Sequence, residues 1–169
     1  MTVAHRIVVA GVGNPYRRDD GVGGAVVDAL RRSGLAASLV DRVSEPLDLV
    51  ESFDSADLVL VVDAARSGAR PGTVFELDLS AVADAEVLAP TSTHGIGVAR
   101  AVQLARVLGR VPSSVVVLAV EGEDFTPGEG LSRAVAAAVP AVVRRIESLA
   151  HRADPDPTSV VAREEMPCA

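Results

Sequence analysis

No lysine occurs in the 169 residues, so all 16 basic side chains are arginine. Schiff-base chemistry through a lysine amine is thereby excluded, as is a phosphate-binding loop of the Gly-Lys-Ser/Thr type. Tryptophan is also absent, and the aromatic residues are Tyr16, Phe53, Phe75 and Phe125. With 23 acidic side chains the formal net charge is −7. Such a chain has neither the charge to neutralise phosphates nor the rings to stack bases, so no nucleic-acid partner is expected. A single cysteine, Cys168, rules out an intrachain disulfide and a cysteine-cluster metal site. The longest apolar runs, such as Val115–Val120, fall far short of the roughly 18 residues that a membrane span requires. The opening MTVAHRIVVAGVGN has no basic region, long apolar stretch or cleavage site of a signal peptide. No membrane association and a cytoplasmic location are therefore expected.

What the chain does have is a large aliphatic fraction: 49% of its residues are hydrophobic, mainly Ala, Val and Leu. Its length suits one domain. Apolar runs at His5–Val12, Leu39–Val43, Leu58–Asp63 and Val115–Val120 read as strands. Val22, Ala25, Val26, Ala29 and Leu30 recur at helical spacing, with Arg31, Arg32 and Gly34 as stop signals. Pro46–Phe53 and Gly97–Leu108 read as further helices. In Leu131–Leu149, Pro140 either kinks one helix or starts another. Thr73–Leu79 alternates cleanly, as an edge or half-exposed strand does. Strands apolar throughout, alternating with amphipathic helices, predict a three-layer α/β/α sandwich around a mostly parallel sheet of about five strands. Residues 1–150 would form this single domain, and 151–169, with its Asp154-Pro155-Asp156-Pro157 run, a polar tail.

Ligands of such sheets bind beyond the carboxyl ends of the strands, which directs attention to three loops. The first runs Gly11-Val12-Gly13-Asn14-Pro15-Tyr16-Arg17-Arg18-Asp19-Asp20-Gly21-Val22-Gly23. Tyr16 stands where a dinucleotide fingerprint needs its third glycine, so that reading is weak. Asp19 is placed to cap the following helix, with Asp20 as its first residue projecting into the crevice. Both could equally serve only to complement the helix dipole. Asp63 closes the buried run LVLVVD, where an unpaired carboxylate is costly. Either it meets a ligand or it caps the turn at Ala64–Gly68. His94 lies in Thr91-Ser92-Thr93-His94-Gly95-Ile96-Gly97, between hydroxyls and glycines rather than on an apolar face. Two carboxylates and one imidazole make a mixed N/O set suited to a borderline divalent metal such as zinc or nickel.

In this order and spacing, G-x-G-N-x-x-x-x-D-D-G-x-G, V-D-A…G…P-G-T and S-T-H-G-I-G resemble the hydrogenase maturation proteases, from about Ile7 to Leu149. The resemblance implies an endopeptidase that removes a C-terminal extension from the large subunit of a nickel–iron hydrogenase after nickel insertion. It implies that the partner is the nickel-loaded precursor and that the nickel is the substrate's own, with no organic cofactor. It carries the metal-site and catalytic roles to Asp20, Asp63 and His94, where Asp20 is the shorter of the two acids the family uses at that position. It also implies an antiparallel strand, for which Thr73–Leu79 is the candidate. Gly13, Asn14 and Gly95 would shape the substrate cleft, and Glu121–Gly130 would form part of its rim. Arg17 and Arg18 beside the cleft would limit repulsion among its acids. No Ser–His–Asp or Cys–His arrangement is visible, so water activated by a carboxylate or a metal would do the hydrolysis, with Asp20 or Asp63 as base. Two other readings use the same residues: a non-catalytic nickel-sensing assembly chaperone, and a small-molecule hydrolase or nucleotide binder. The fold does not separate these.

Overall fold

The computed structural model describes residues 5–35, 37–43, 46–54, 56–80 and 95–153. Five strands, β1 (Ile7–Val12), β2 (Ser38–Val43), β3 (Leu58–Ala65), β4 (Val74–Asp78) and β5 (Ser114–Glu121), form one sheet in the order β2-β1-β3-β5-β4. β1 runs parallel to β2 and β3, and β3 to β5; β4 alone is antiparallel, against β5. The expected architecture is thus observed: Thr73–Leu79 supplies the edge strand that its alternation suggests, and it is the antiparallel strand that the family resemblance implies.

Helices α1 (Val22–Ser33) and α4 (Arg133–Ala153) cover one face of the sheet. There Val9, Leu60, Val62, Leu118 and Val120 meet Val22, Val26 and Leu30 of α1 and Val135, Val142 and Ile146 of α4. Helices α2 (Leu49–Phe53) and α3 (Gly95–Val107) cover the other, joining Val8, Ala10, Val59, Val61, Val115 and Val117 to Leu49, Phe53, Val98 and Val102. All eight residues of β3 are buried, so each side chain of this central strand has its own layer to enter. Full burial of a Val or Leu contributes about 1.5–3 kcal/mol, which is why the two aliphatic layers suffice with few rings.

α1 stops at Gly34, whose φ of 76° is the left-handed cap that its sequence signals predict. α4 is one helix through Pro140. The ring removes the bond to the Ala136 carbonyl, but both residues are exposed, so water can take that acceptor. α4 continues to Ala153, three residues into the segment expected to be tail, and 154–169 lie outside the described residues. No helix among the described residues is long and apolar enough to cross a membrane.

The helix directions place the site. Near the carboxyl end of α3, Arg106 donates to the Leu79 carbonyl, and Leu79 donates to that of Val115 at the start of β5. α3 therefore ends at the amino edge of β5 and begins, at Gly95, near the edge where β1, β3 and β5 finish.

Candidate functional site

Asp63 is the sixth residue of β3 and 2% exposed. It continues the row of Val59 and Val61, so it points to the α2/α3 side of the sheet. Its Oδ1 accepts the backbone N–H of Ala64 at 2.8 Å. Burial pushes its carboxyl up to about 7; the Ala64 N–H partly opposes this, and the negative charge of Asp20 adds to it. A group balanced near neutrality can both take and give a proton there. Among the described residues Asp63 has no ion-pair partner.

Asp20 is not the first residue of α1, as expected, but lies in a 3-10 turn, Arg18–Gly21, ahead of it. It is 4% exposed, and its Oδ2 accepts the N–H of Asn14 at 3.0 Å. Asn14 Oδ1 in turn accepts the N–H of Tyr16 at 2.9 Å, which bends the loop back. Gly13, at φ 124°, packs so closely on Asp20 that a Cβ would strike its carbonyl oxygen. Two further glycines set the depth of the turn. A Cβ on Gly11 would lie 2.5 Å from the Gly23 carbonyl carbon, and one on Gly23 would lie 2.7 Å from the Val62 oxygen. α1 therefore begins in backbone contact with the ends of β1 and β3, and this contact carries Asp20 to Asp63. The glycines of the motif serve backbone approach rather than a phosphate.

Asp19 does not cap α1; the cap position is Gly21, with no side-chain bond. Its carboxylate accepts the N–H groups of three residues remote in sequence, Glu123 (2.8 Å), Asp124 (2.9 Å) and Ser132 (2.7 Å). Burial would raise its pKa, but these donors outweigh it and hold Asp19 below the usual carboxylate range. The loop that follows β5 is thus fastened to the turn that carries Asp20. Backbone bonds from Arg18 to Gly128 and from Gly128 to Tyr16 add to this, as does the Arg18–Asp124 ion pair at 3.3 Å. Arg18 is therefore spent on Asp124.

The expectation that Glu121 stands on the cleft rim is also corrected. Glu121 is 2% exposed and accepts from Ser67 N, Gly68 N and Ser67 Oγ at 2.7–3.0 Å. It, not Asp63, caps the turn beyond β3. The signal that singled out Asp63, a carboxylate closing a buried run, applies equally to VVVLAVE and would have found Glu121.

His94 lies outside the described residues. Its neighbour Gly95 opens α3 near the carboxyl edge of the sheet. Among the described residues no three His, Cys, Asp or Glu side chains converge as a metal site. What the structure brings together is the pair Asp20 and Asp63.

A family model described as hydrogenase maturation protease matches residues 25–149, a span that includes Asp63 and His94 and begins after Asp20. The chain is 29% identical over 150 residues to the hydrogenase expression/formation protein HoxM of Cupriavidus necator, covering 86% of this chain and 74% of that protein. It is 31% identical over 125 residues to HupD of Thiocapsa roseopersicina, covering 70% of this chain and 57% of that one, so it spans little more than half of that relative. The hydrogenase maturating endopeptidase HybD from E. coli superposes with a TM-score of 0.74 at 24% identity, over 88% of this chain and 94% of that one. At that identity the likeness establishes a shared fold.

Proposed function

The chain belongs to the hydrogenase maturation protease family, and from that footing we propose that it is the endopeptidase that trims the C-terminal extension of a nickel–iron hydrogenase large-subunit precursor after nickel insertion. Asp20, Asp63 and His94 take the nickel as part of the substrate, which sets the scissile peptide against a water molecule. The carboxylate that is ionised removes a proton from this water as its oxygen attacks the scissile carbonyl. The carbon–nitrogen bond then breaks, and the proton passes to the leaving amine. The observation that carries this reading is the pairing of Asp63 with Asp20 at the carboxyl edge, in a burial that holds Asp63 near pH 7. Support also comes from the negative sign of the pair, which suits a cation-bearing substrate, and from the start of α3, next to His94, near the same edge.

The test is a time course on a nickel-loaded precursor. The wild type is expected to yield one shortened product, seen as a mobility shift, and folded Asp63→Asn and His94→Ala to yield none. Wild-type cleavage by a folded His94→Ala would remove His94 from the site. A precursor bound but never shortened would make the protein a nickel-sensing assembly factor.

A further inference from the structure

Arg66 follows directly on β3, three residues beyond Asp63, and is exposed. Its guanidinium lies over the ring of Phe125, 4.9 Å from the centroid, within cation–π range. It makes no hydrogen bond or ion pair among the described residues. The surrounding structure holds this cation in place. The turn that bears it is clamped from below by buried Glu121 through Ser67 and Gly68. Phe125 packs on Gly122, where any Cβ would strike the ring, and on the α1/α4 side of the core. The Phe125 segment is itself fastened by Asp19 to the turn that carries Asp20. Arg66 and the carboxylate pair are therefore parts of one rigid edge. A guanidinium that spends its face on a ring keeps its edge N–H groups, whose fork matches a carboxylate.

We propose that Arg66, seated on Phe125, binds a carboxylate of the precursor's C-terminal extension and so sets which extensions are accepted. The inference rests on the function proposed above. The carboxylate is either an acidic side chain of the extension or its terminal α-carboxylate. A cleft that holds Asp20 and Asp63 repels an anionic extension, and a cation held over Phe125 at the same carboxyl edge of the sheet selects the extension long enough to place its carboxylate there.

The test compares wild type with Arg66→Ala and Arg66→Lys on nickel-loaded precursor, after thermal unfolding has shown each to be folded. Both the dissociation constant and the cleavage kinetics are measured. Arg66→Ala is expected to raise Kd and KM about tenfold, the loss of one charge-assisted hydrogen bond, with kcat changed less than twofold. Arg66→Lys restores part of the loss, and added salt narrows the gap between wild type and Arg66→Ala. A precursor with an amidated C-terminus and one with its extension acids neutralised then locate the carboxylate, because the substrate that lacks it no longer distinguishes wild type from Arg66→Ala. Unchanged Kd and KM in Arg66→Ala, or an equal loss on every precursor including one that lacks both carboxylates, would overturn the proposal. If the wild type binds the precursor without cutting it, the peptidase reading fails while Kd still tests Arg66. If it neither binds nor cuts, both fall.

Discussion

At the carboxyl edge of the sheet Asp20 lies close enough to Asp63 for its charge to raise the proton affinity of Asp63. Their separation in sequence is bridged by backbone: Gly23, three residues after Asp20, lies against the Val62 carbonyl just before Asp63. The two acids are coupled because a helix start and a strand end touch without side chains between them.

The coupling predicts how Asp63 titrates. Its midpoint in the wild type, followed by carboxyl-carbon NMR, is expected near 7. Replacing Asp20 by Asn removes a negative charge that disfavours ionisation, so the midpoint should move down. Burial is the larger cause and remains, so the Asp63 carboxyl in Asp20→Asn should still titrate above an ordinary aspartate. A midpoint unmoved by Asp20→Asn would mean that the two groups do not interact.

The same shift has a stability consequence. Between pH 4 and 7 folded Asp63 holds a proton that the unfolded chain has released, so its contribution becomes more unfavourable as pH rises through that window. Asp63→Asn should therefore match the wild type in denaturant midpoint near pH 4 and exceed it at pH 8. The full difference between an ordinary carboxyl and one at about 7 sets an upper bound of about 4 kcal/mol. A gain of equal size at both pH values would point to packing rather than to charge.

Asp19 behaves in the opposite sense. Its depressed carboxyl contributes stability that is present above the unfolded pKa, near 4, and is lost as pH falls through the folded value. Asp19→Ala leaves three backbone N–H groups without their acceptor. A loss of about 3 kcal/mol or more is expected at pH 7, shrinking in acid, with faster amide exchange at Glu123, Asp124 and Ser132. Slow exchange retained at those three amides would show that the loop does not depend on Asp19.

How much of this was legible in the sequence depends on range. β3 announced itself because five apolar residues in a row, Leu58–Val62, too few for a helix of ordinary length, fit a strand buried on both faces, and β4 because alternation fits an edge strand. Asp63 was legible as a charge where a buried strand ends. The division of labour between Asp19 and Asp20 was not, since local capping rules treat both as helix starters, whereas the partners of Asp19 lie 104 to 113 residues further on. Glu121 was misread for the same reason: its partners, Ser67 and Gly68, come from a turn more than 50 residues earlier. The glycines were recognisable as a motif, but what they approach is backbone from another strand, which no local spacing encodes.

That approach separates two adjacent glycines of α1. A Cβ on Gly23 would lie 2.6 Å from the Val12 oxygen, 2.7 Å from the Val12 nitrogen and 2.7 Å from the Val62 oxygen, all backbone atoms of paired strands that cannot turn aside. On Gly24 a Cβ meets nothing within 4 Å. Gly23→Ala should cost about 1–3 kcal/mol through overpacking and, by lifting the start of α1, draw Asp20 away from Asp63 and slow precursor cleavage. Gly24→Ala should raise stability by roughly 0.5–1 kcal/mol, because alanine replaces glycine inside a helix at no steric cost. Denaturant midpoints of the two single variants check the contrast. Similar effects from both would mean that helix propensity, and not contact with β1 and β3, governs the glycines ahead of the site.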